Sequence, residues 1–372
     1  MHIAHLSLTN FRNYERLELD LPPHLMVLHG DNAQGKTNLL EAIYLLATTK
    51  SHRASAEREL INWSVPQEGP GVARLLARVQ KGVGSLRVEI ALIAAYSEED
   101  AHVQKRIRIN GVPRRAIDLV GQVNVVLFSS QDIDLIGGSP SRRRRYLDIT
   151  NSQVSSRYLR ALQRYTKVLL QRNHLLKLIQ ERRAQWDQLE FWDRELVEHG
   201  SFITAQRQLM VAELDELARP IHRQLTADQE ELKISYIPSV SKDDFVDRLA
   251  EVRKKESAQG ITLVGPHRDD LAFLVNDIDM NTYASRGQQR TIALSLKLAE
   301  ARFMRSKTGD EPILLLDDVL PELDAARRNH LLRSIVSYEQ VVMAITDLDR
   351  LPPDFLAEAA LFQVSGGRIN PL

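Results

Sequence analysis

The densest chemistry in the chain lies in Gly30-Asp31-Asn32-Ala33-Gln34-Gly35-Lys36-Thr37. This run fits G-x-x-x-x-G-K-[ST], in which the glycines let the backbone curl until several N–H groups point inward. Such a nest, backed by a helix N-terminus, takes phosphate oxygens. Lys36 is then expected to hold the β- and γ-phosphates of ATP, and the Thr37 hydroxyl to bind Mg²⁺. The flanks agree. Leu25-Met26-Val27-Leu28 reads as a buried strand, and residues 38–46 are good helix formers. Strand, loop, helix is the context that separates a phosphate loop from a glycine-rich turn with an exposed lysine.

A second acidic element lies far downstream. Ile313-Leu314-Leu315-Leu316 is an apolar run ending in Asp317-Asp318. Asp317 is expected to reach the Mg²⁺ on Thr37, directly or through water. Asp318 is placed to orient or deprotonate an attacking water, although a turn or N-cap role would suit the same residue. A compact P-loop enzyme would keep the two elements closer. The long helical pattern between them points to a split head of the ABC class, in its SMC-like branch. Ser285-Arg286-Gly287-Gln288-Gln289 then reads as a variant ABC signature. Ser285, Gly287 and Gln288 at a helix N-terminus suit a γ-phosphate held by a partner subunit, so that ATP is sandwiched between two heads. The plainer alternative is a Ser-capped helix. Gln131 resembles a Q-loop glutamine that reaches the Mg²⁺ and the water. Pro321-Glu322-Leu323-Asp324 fits a D-loop. Thr346-Asp347 stands where a switch histidine would be expected.

These residues need elements to position them. Ile3, Leu6, Leu8 and then Leu17, Leu19, Leu21 predict two strands of a hairpin whose turn holds Asn10-Phe11-Arg12-Asn13-Tyr14. Alternation returns between residues 73 and 92. Residues 105–112 predict a strand running into an Asn-Gly turn, and Val125-Val126-Leu127-Phe128 another strand. From Arg142-Arg143-Arg144-Arg145 to about residue 258 the pattern is helical. Tyr158, Leu162, Tyr165, Leu169, Leu176 and Ile179 form one seam, interrupted by Arg172. Leu189, Trp192, Leu196, His199 and Ile203 begin a second, carried on by Met210, Leu214 and Leu217 until Arg219-Pro220 stops it. Two such helices predict a short antiparallel coiled arm with its tip at residues 180–188. Residues 261–266 and 271–275 read as strands, with a helix over 290–305. Alternating strands and helices toward the C-terminus argue a parallel sheet. The predicted division is 1–140 for the first part of the head, 141–258 for the arm and 259–372 for the rest of the head, an α/β fold overall.

Length and composition narrow the class. A chain of 372 residues holds two or three structural units. Its 49 basic and 49 acidic residues balance, so any affinity for nucleic acid must be local. The absence of cysteine excludes disulfides, thiolate zinc sites and a Cys nucleophile. With neither a signal pattern nor an apolar run of spanning length, a soluble cytoplasmic protein with no membrane contact is the expectation.

Asn10 to Tyr14, the phosphate loop through Asn38, Gly265-Pro266-His267-Arg268-Asp269-Asp270 and the stretch from Leu316 to Asp324 together resemble the bacterial RecF family. Arg286 departs from the Gln usual in that signature, and Pro321 from the usual Ser. The resemblance implies an ATP-dependent, DNA-binding homodimer of recombinational repair and replication restart. It implies action with RecO and RecR to load RecA at single-strand gaps, support of SOS induction, and slow ATP hydrolysis. Arg142, Arg143, Arg144 and Arg145 are candidate DNA contacts, with salt bridging or a solvated face as the alternative. Arg53, Arg106, Arg108, Arg114 and Arg115 could extend a basic surface. Aromatics do not alternate with these cations, which favours backbone contact with duplex over base stacking. His267-Arg268-Asp269-Asp270 could be a metal or acid–base cluster by composition. A structural role, holding the arm's return strand against the head, is the preferred expectation. A transporter's nucleotide-binding subunit is a rival class, opposed by the inserted arm and the missing switch histidine. A small-molecule P-loop kinase is another, opposed by Gln131, Ser285 and the late Asp317.

Overall fold

The computed structural model describes residues 1–64, 71–82, 84–97 and 100–372. β1 (His2–Phe11) and β2 (Tyr14–Asp20) form the expected hairpin, with Phe11 paired to Tyr14 across Arg12-Asn13. Leu6, Leu8, Leu17 and Leu19 bury on one face, as period-two alternation requires, and a register shift between Ile3 and His5 lets Ile3 join them. β3 (His24–His29) leads through the phosphate loop into α1 (Lys36–Thr48). β4 (Gly71–Gln80), β5 (Ser85–Ser97), β6 (Asp100–Ile109) and β7 (Val112–Arg114) continue the antiparallel sheet. Asn110 and Gly111, both at positive φ (51° and 80°), make the tight turn between the last two. α2 (Ala116–Leu119) and β8 (Val125–Ser129) complete this part.

The middle of the chain holds α3 (Asp134–Gly137), α4 (Pro140–Val154), α5 (Ser156–Gln180), α6 (Glu190–Leu225), β9 (Leu232–Ile237) and α7 (Phe245–Gln259). β10 (Asp270–Val275), β11 (Ile278–Asp279), α8 (Met280–Tyr283) and α9 (Arg286–Thr308) follow. The C-terminal part is β12 (Ile313–Asp317), α10 (Ala325–Ile335), β13 (Gln340–Ile345), α11 (Pro353–Ala357), β14 (Ala360–Ser365) and β15 (Arg368–Pro371).

Two compact units result: Met1–Asp132 with Lys297–Leu372, and Ile133–Leu296. The first contains both six-stranded sheets. One has the order β2-β1-β4-β5-β6-β7, the other β15-β14-β3-β13-β12-β8. In the second sheet all strands but β15 run parallel. α1 is apolar on nearly every side and touches strands of both sheets, which is why Leu39, Leu40, Ile43, Leu45 and Leu46 are all buried. The C-terminal hairpin of β14 and β15, turning at Gly366-Gly367, has no counterpart in the sequence reading.

In the second unit α5 and α6 pack side by side, and α7 adds Phe245, Leu249 and Val252 to their seam. Leu176, Ile179 and Leu189 close the far end, beside the expected tip. Arg172, which interrupts the seam, is fully buried. Its guanidinium donates to Asp193 (2.7 Å), Glu256 (2.7 Å) and the Thr262 hydroxyl (2.8 Å). Four expectations need correction here. α6 continues through Pro220 to Leu225, because buried Ile221, His222 and Leu225 outweigh the missing N–H. Leu232–Ile237 is a strand inside the stretch read as helix. Residues 261–266 are irregular, since side chains take their backbone N–H groups. Asn173 accepts from Thr262, Glu256 from Leu263 and Ser239 from Gly265, at 2.8, 2.8 and 2.9 Å. Residues 259–296 group with the helical unit, because β10 pairs with β9.

The cluster at residues 267–270 ties this second unit together internally. Asp270 takes a two-pronged contact from Arg143 (2.6 and 2.9 Å). Asp269 accepts the Ser239 N–H at 2.7 Å and the Tyr236 hydroxyl. His267 accepts from the Tyr165 hydroxyl (2.7 Å) and donates to the Thr262 carbonyl (3.1 Å). Burial, opposed by the Thr262 bond and reinforced by Arg268, Arg144 and Arg172, pushes the imidazole down to about 4. A neutral His267 therefore contributes stability that is full above the unfolded value near 6.5 and lost as pH falls toward 4. The gap corresponds to about 3 kcal/mol. Urea unfolding of His267→Gln should lose about that much less than wild type between pH 7 and pH 4. Identical pH profiles would remove this role from His267.

Candidate nucleotide-binding site

The parallel sheet brings the candidate residues to one edge. β3 ends at the phosphate loop, β12 ends at Asp317, and β13 lies between them in register with both. β8 is paired on the other side of β12, Ser129 opposite Asp317, and Gln131 lies exposed two residues beyond. Ligand sites of open parallel sheets form at these carboxyl ends.

The loop itself is tightly buttressed. Gly30 (φ 155°) and Gly35 (φ 121°) have backbone conformations that L side chains avoid. A Cβ on Gly30 would lie 2.3 Å from the Val364 carbonyl, and one on Gly35 2.6 Å from the Asn13 amide. The Tyr14 hydroxyl donates to Gly35 O (2.9 Å), and Asn13 Nδ2 to Gln34 O (2.9 Å). From the C-terminal hairpin, Gly367 N–H reaches Gln34 O (3.1 Å) and Gly366 N–H reaches Gln34 Oε1 (2.7 Å). The first hairpin and the last thus clamp one loop.

Lys36 is 6% exposed, and its Nζ turns over the loop onto the carbonyls of Gly30 (2.5 Å) and Asp31 (2.8 Å). Burial lowers its pKa, while Asp318, Asp317 and Asp31 pull the other way. Thr37 Oγ1 donates to Asp317 Oδ1 at 2.7 Å, joining segments 280 residues apart. Burial raises the Asp317 pKa, offset by the Thr37 bond and Arg53 and reinforced by Asp318. Asp318 sits at φ 51°, its N–H on the Ala344 carbonyl (3.1 Å), with a buried Oδ1 that has no hydrogen-bond partner. Strained backbone and an unsatisfied acceptor at one residue are features that cluster at working sites. Among the described residues no group of three His, Asp or Glu side chains gathers to hold a metal alone. Thr37 and Asp317 instead supply two oxygens of the kind Mg²⁺ takes alongside phosphate and water.

The signature residues belong to the second unit. Gln288 N–H donates to Ser285 Oγ (3.3 Å) and Ser285 N–H to Gln288 Oε1 (3.1 Å), a reciprocal cap on α9. Gln288 Nε2 also reaches Glu230 (3.1 Å). Ser285 stays exposed, so capping and a further contact are compatible, and a Cβ on Gly287 would meet Ser285 Oγ only at 3.9 Å. Asp324 caps α10 through the Arg327 N–H (2.9 Å), and Asp347 accepts from the Asp349 N–H (3.0 Å).

The arginine run divides. Arg143 is 4% exposed and committed to Asp270 and to the carbonyls of Ile136 and Gly138, so burial removes it from the candidate DNA contacts. Arg144 donates to the Asp269 carbonyl (2.9 Å), and Arg142 pairs with Asp134 (2.8 Å). Arg142 and Arg145 remain exposed. These pairs offset the cost of cations at the N-terminal end of α4. Of the other basic residues, Arg115 pairs with Asp118 (3.4 Å) and Arg53 lies within electrostatic reach of Asp317.

Arg12 was legible only as part of a motif. It makes a two-pronged bond to Glu41 on α1 (2.8 and 2.8 Å), and Glu41 is fully buried. Burial would raise the Glu41 pKa, but the Arg12 and Ser51 bonds outweigh it and hold the carboxyl below its usual range. Arg12→Ala leaves a buried carboxylate without its cation, at a cost of about 3–5 kcal/mol. Denaturant unfolding should show this loss, together with weaker nucleotide binding because the α1 anchor shifts. A change under 1 kcal/mol would contradict it.

A P-loop ATPase head of the ABC/SMC kind, with an inserted helical unit, is the class that this fold and site define. A profile of the RecF/RecN/SMC N terminal domain matches residues 2–348. The chain therefore belongs to the RecF/RecN/SMC family, and within it to the RecF proteins. A DNA replication and repair protein RecF from Chloroflexus aurantiacus is 44% identical over 390 aligned residues, 99% of either chain. Another, from Halalkalibacterium halodurans, is 41% identical over 381, covering 100% of this chain and 99% of its own. A solved structure described as the recombination mediator protein RecF-ATP in the RecFOR pathway superposes with TM-score 0.87 at 32% identity, covering 100% of this chain and 97% of that one. An Smc head bound to the C-winged helix domain of ScpA gives TM-score 0.56 at 15% identity, over 100% of this chain and 98% of that one, and shares the fold.

Proposed function

We propose that this protein binds ATP and Mg²⁺ and, as an ATP-dependent homodimer, clamps DNA in recombinational repair and replication restart. The observation that carries the reading is the Thr37–Asp317 contact, which joins the phosphate loop to the second acidic strand end. The loop N–H groups from Gly30 through Gly35 and the Lys36 ammonium hold the phosphates. Thr37, Asp317 and Gln131 would hold Mg²⁺, which would supply charge neutralisation on the phosphates. Asp318, with its unpartnered buried oxygen, orients the attacking water. Ser285, Gly287 and Gln288 of one copy close over the nucleotide of the other. The weak ATPase acts as a release timer, with DNA as its stimulus. Arg142 and Arg145, the exposed members of the arginine run, meet DNA phosphate.

The relatives' names support the assignment to DNA replication and repair, and the RecF-ATP structure supports ATP as the nucleotide. The cellular role follows from the RecF resemblance: action in the cytoplasm with RecO and RecR to load RecA at single-strand gaps, and promotion of SOS induction. Nucleotide titration and turnover assays on two variants test the site. Lys36→Ala should abolish tight ATP binding while the fold persists. Asp318→Asn should keep ATP binding and slow hydrolysis by about 10²-fold or more. ATP affinity unchanged in Lys36→Ala would overturn the phosphate-loop reading. Wild-type turnover in Asp318→Asn would overturn the water-positioning role.

A further inference from the structure

The outer face of the antiparallel sheet gathers most of its arginines on one half, away from Arg16, Glu18 and Asp20 on β2. Strand register sets side chains in rows across this face. Arg74 on β4 faces Ala91 on β5, which faces Arg106 on β6. Leu76 faces Glu89, which faces Arg108. Arg78 faces Arg87 directly. Five exposed arginines thus share the β4–β6 half with one carboxylate, Glu89, among the residues whose side chains are described. Arg74 takes that carboxylate (3.0 Å), and Arg106 donates to the Gln104 amide oxygen (3.1 Å). Arg78, Arg87 and Arg108 have no ion-pair partner among the described residues. On the β1–β2 half the acids are already served. Glu18 and Asp20 share His5, at 3.0 and 2.7 Å.

Like charges directly opposite on neighbouring strands are destabilising, so the Arg78–Arg87 pair is a local cost of the fold. An anion lying across both would convert the cost into binding. The array has a fixed size. Adjacent strands are about 4.8 Å apart, so β4 to β6 spans about 10 Å, and the four residue steps from Arg74 to Arg78 span about 13 Å. Duplex DNA presents a charge about every 1.7 Å along its axis, so a patch of this size meets several phosphates at once. Between the arginines the described face offers Leu76 and Ala91, which provide no surface for base stacking. Guanidinium groups suit phosphate oxygens through paired N–H donors.

We propose that the outer face of β4–β6, centred on Arg78, Arg87 and Arg108, binds the phosphodiester backbone of duplex DNA. This rests on the DNA-binding reading above and adds a site within the first unit that the arginine run of α4 does not supply. Sequence reading singled out Arg106 and Arg108, whereas Arg74, Arg78 and Arg87 join them only through strand register.

The test is binding of a fluorescent duplex at several salt concentrations, by wild type, by Arg78→Ala/Arg87→Ala/Arg108→Ala and by Arg87→Glu. The triple variant should show a log–log salt slope shallower by about 2.7, at about 0.9 per lost contact. Arg87→Glu turns the repulsive cross-strand pair into an attractive one. It should therefore weaken DNA binding while its Tm holds or rises, a combination that damage to the fold does not produce. ATP binding should match wild type in both. An unchanged salt slope in the triple variant, beside salt-dependent wild-type binding, overturns this site and leaves the DNA-binding reading standing. Wild-type protein without salt-dependent duplex binding overturns the DNA-binding reading and the site with it. Variants that release phosphatidylglycerol vesicles bound by wild type, while DNA affinity stays constant, would overturn the proposal in favour of a membrane surface.

Discussion

Everything at the site depends on parallel register between β3, β13 and β12. That register carries Thr37 to within 2.7 Å of Asp317 although most of the chain lies between them. β13 is buried along its whole length and supplies the spacing. It also takes the Asp318 N–H on its Ala344 carbonyl, which fixes the second carboxylate at positive φ. A slip of one residue in either pairing would turn Asp317 to the other face of the sheet and separate it from the loop.

The loop is a rigid part held by distant segments. Asn13 and Tyr14 come from the first hairpin, Val364, Gly366 and Gly367 from the last, and all press on residues 30–35. Rigidity has an electrostatic purpose. Lys36, Asp317 and Asp318 are mutually close and partly desolvated, so their attractions are stronger than they would be in water. Holding backbone donors still before the ligand arrives removes reorganisation from the chemical step.

Thr37 and Asp317, which meet at 2.7 Å, were legible in the sequence because each piece has a local signature. The glycines and lysine of the loop, the apolar run before Asp317 and the Ser285 helix start are all short-range patterns. What escaped was long-range. The C-terminal hairpin that clamps Gln34 carries only two adjacent glycines as a signal. Arg172, read as a break in a seam, is a buried hub whose partners Asp193, Glu256 and Thr262 come from three separate segments. The strand Leu232–Ile237 alternates only briefly before the helical pattern resumes at α7. Pro220 looked like a stop because propensity is local, whereas the burial that carries α6 past it is tertiary. Grouping of residues 259–296 with the helical unit depends on β9–β10 pairing, which no spacing rule reveals.

The central claim is that ATP is completed by two copies of the chain, the phosphate loop of one and Ser285 of the other. Sedimentation of Ser285→Arg and Lys36→Ala, alone and mixed, with ATP and Mg²⁺, tests it most directly. Each variant alone should stay monomeric, because every interface it can build lacks one half of both composite sites. The mixture retains one intact composite site and should recover partial dimer. Dimerisation of Ser285→Arg with ATP at the wild-type level would contradict the account.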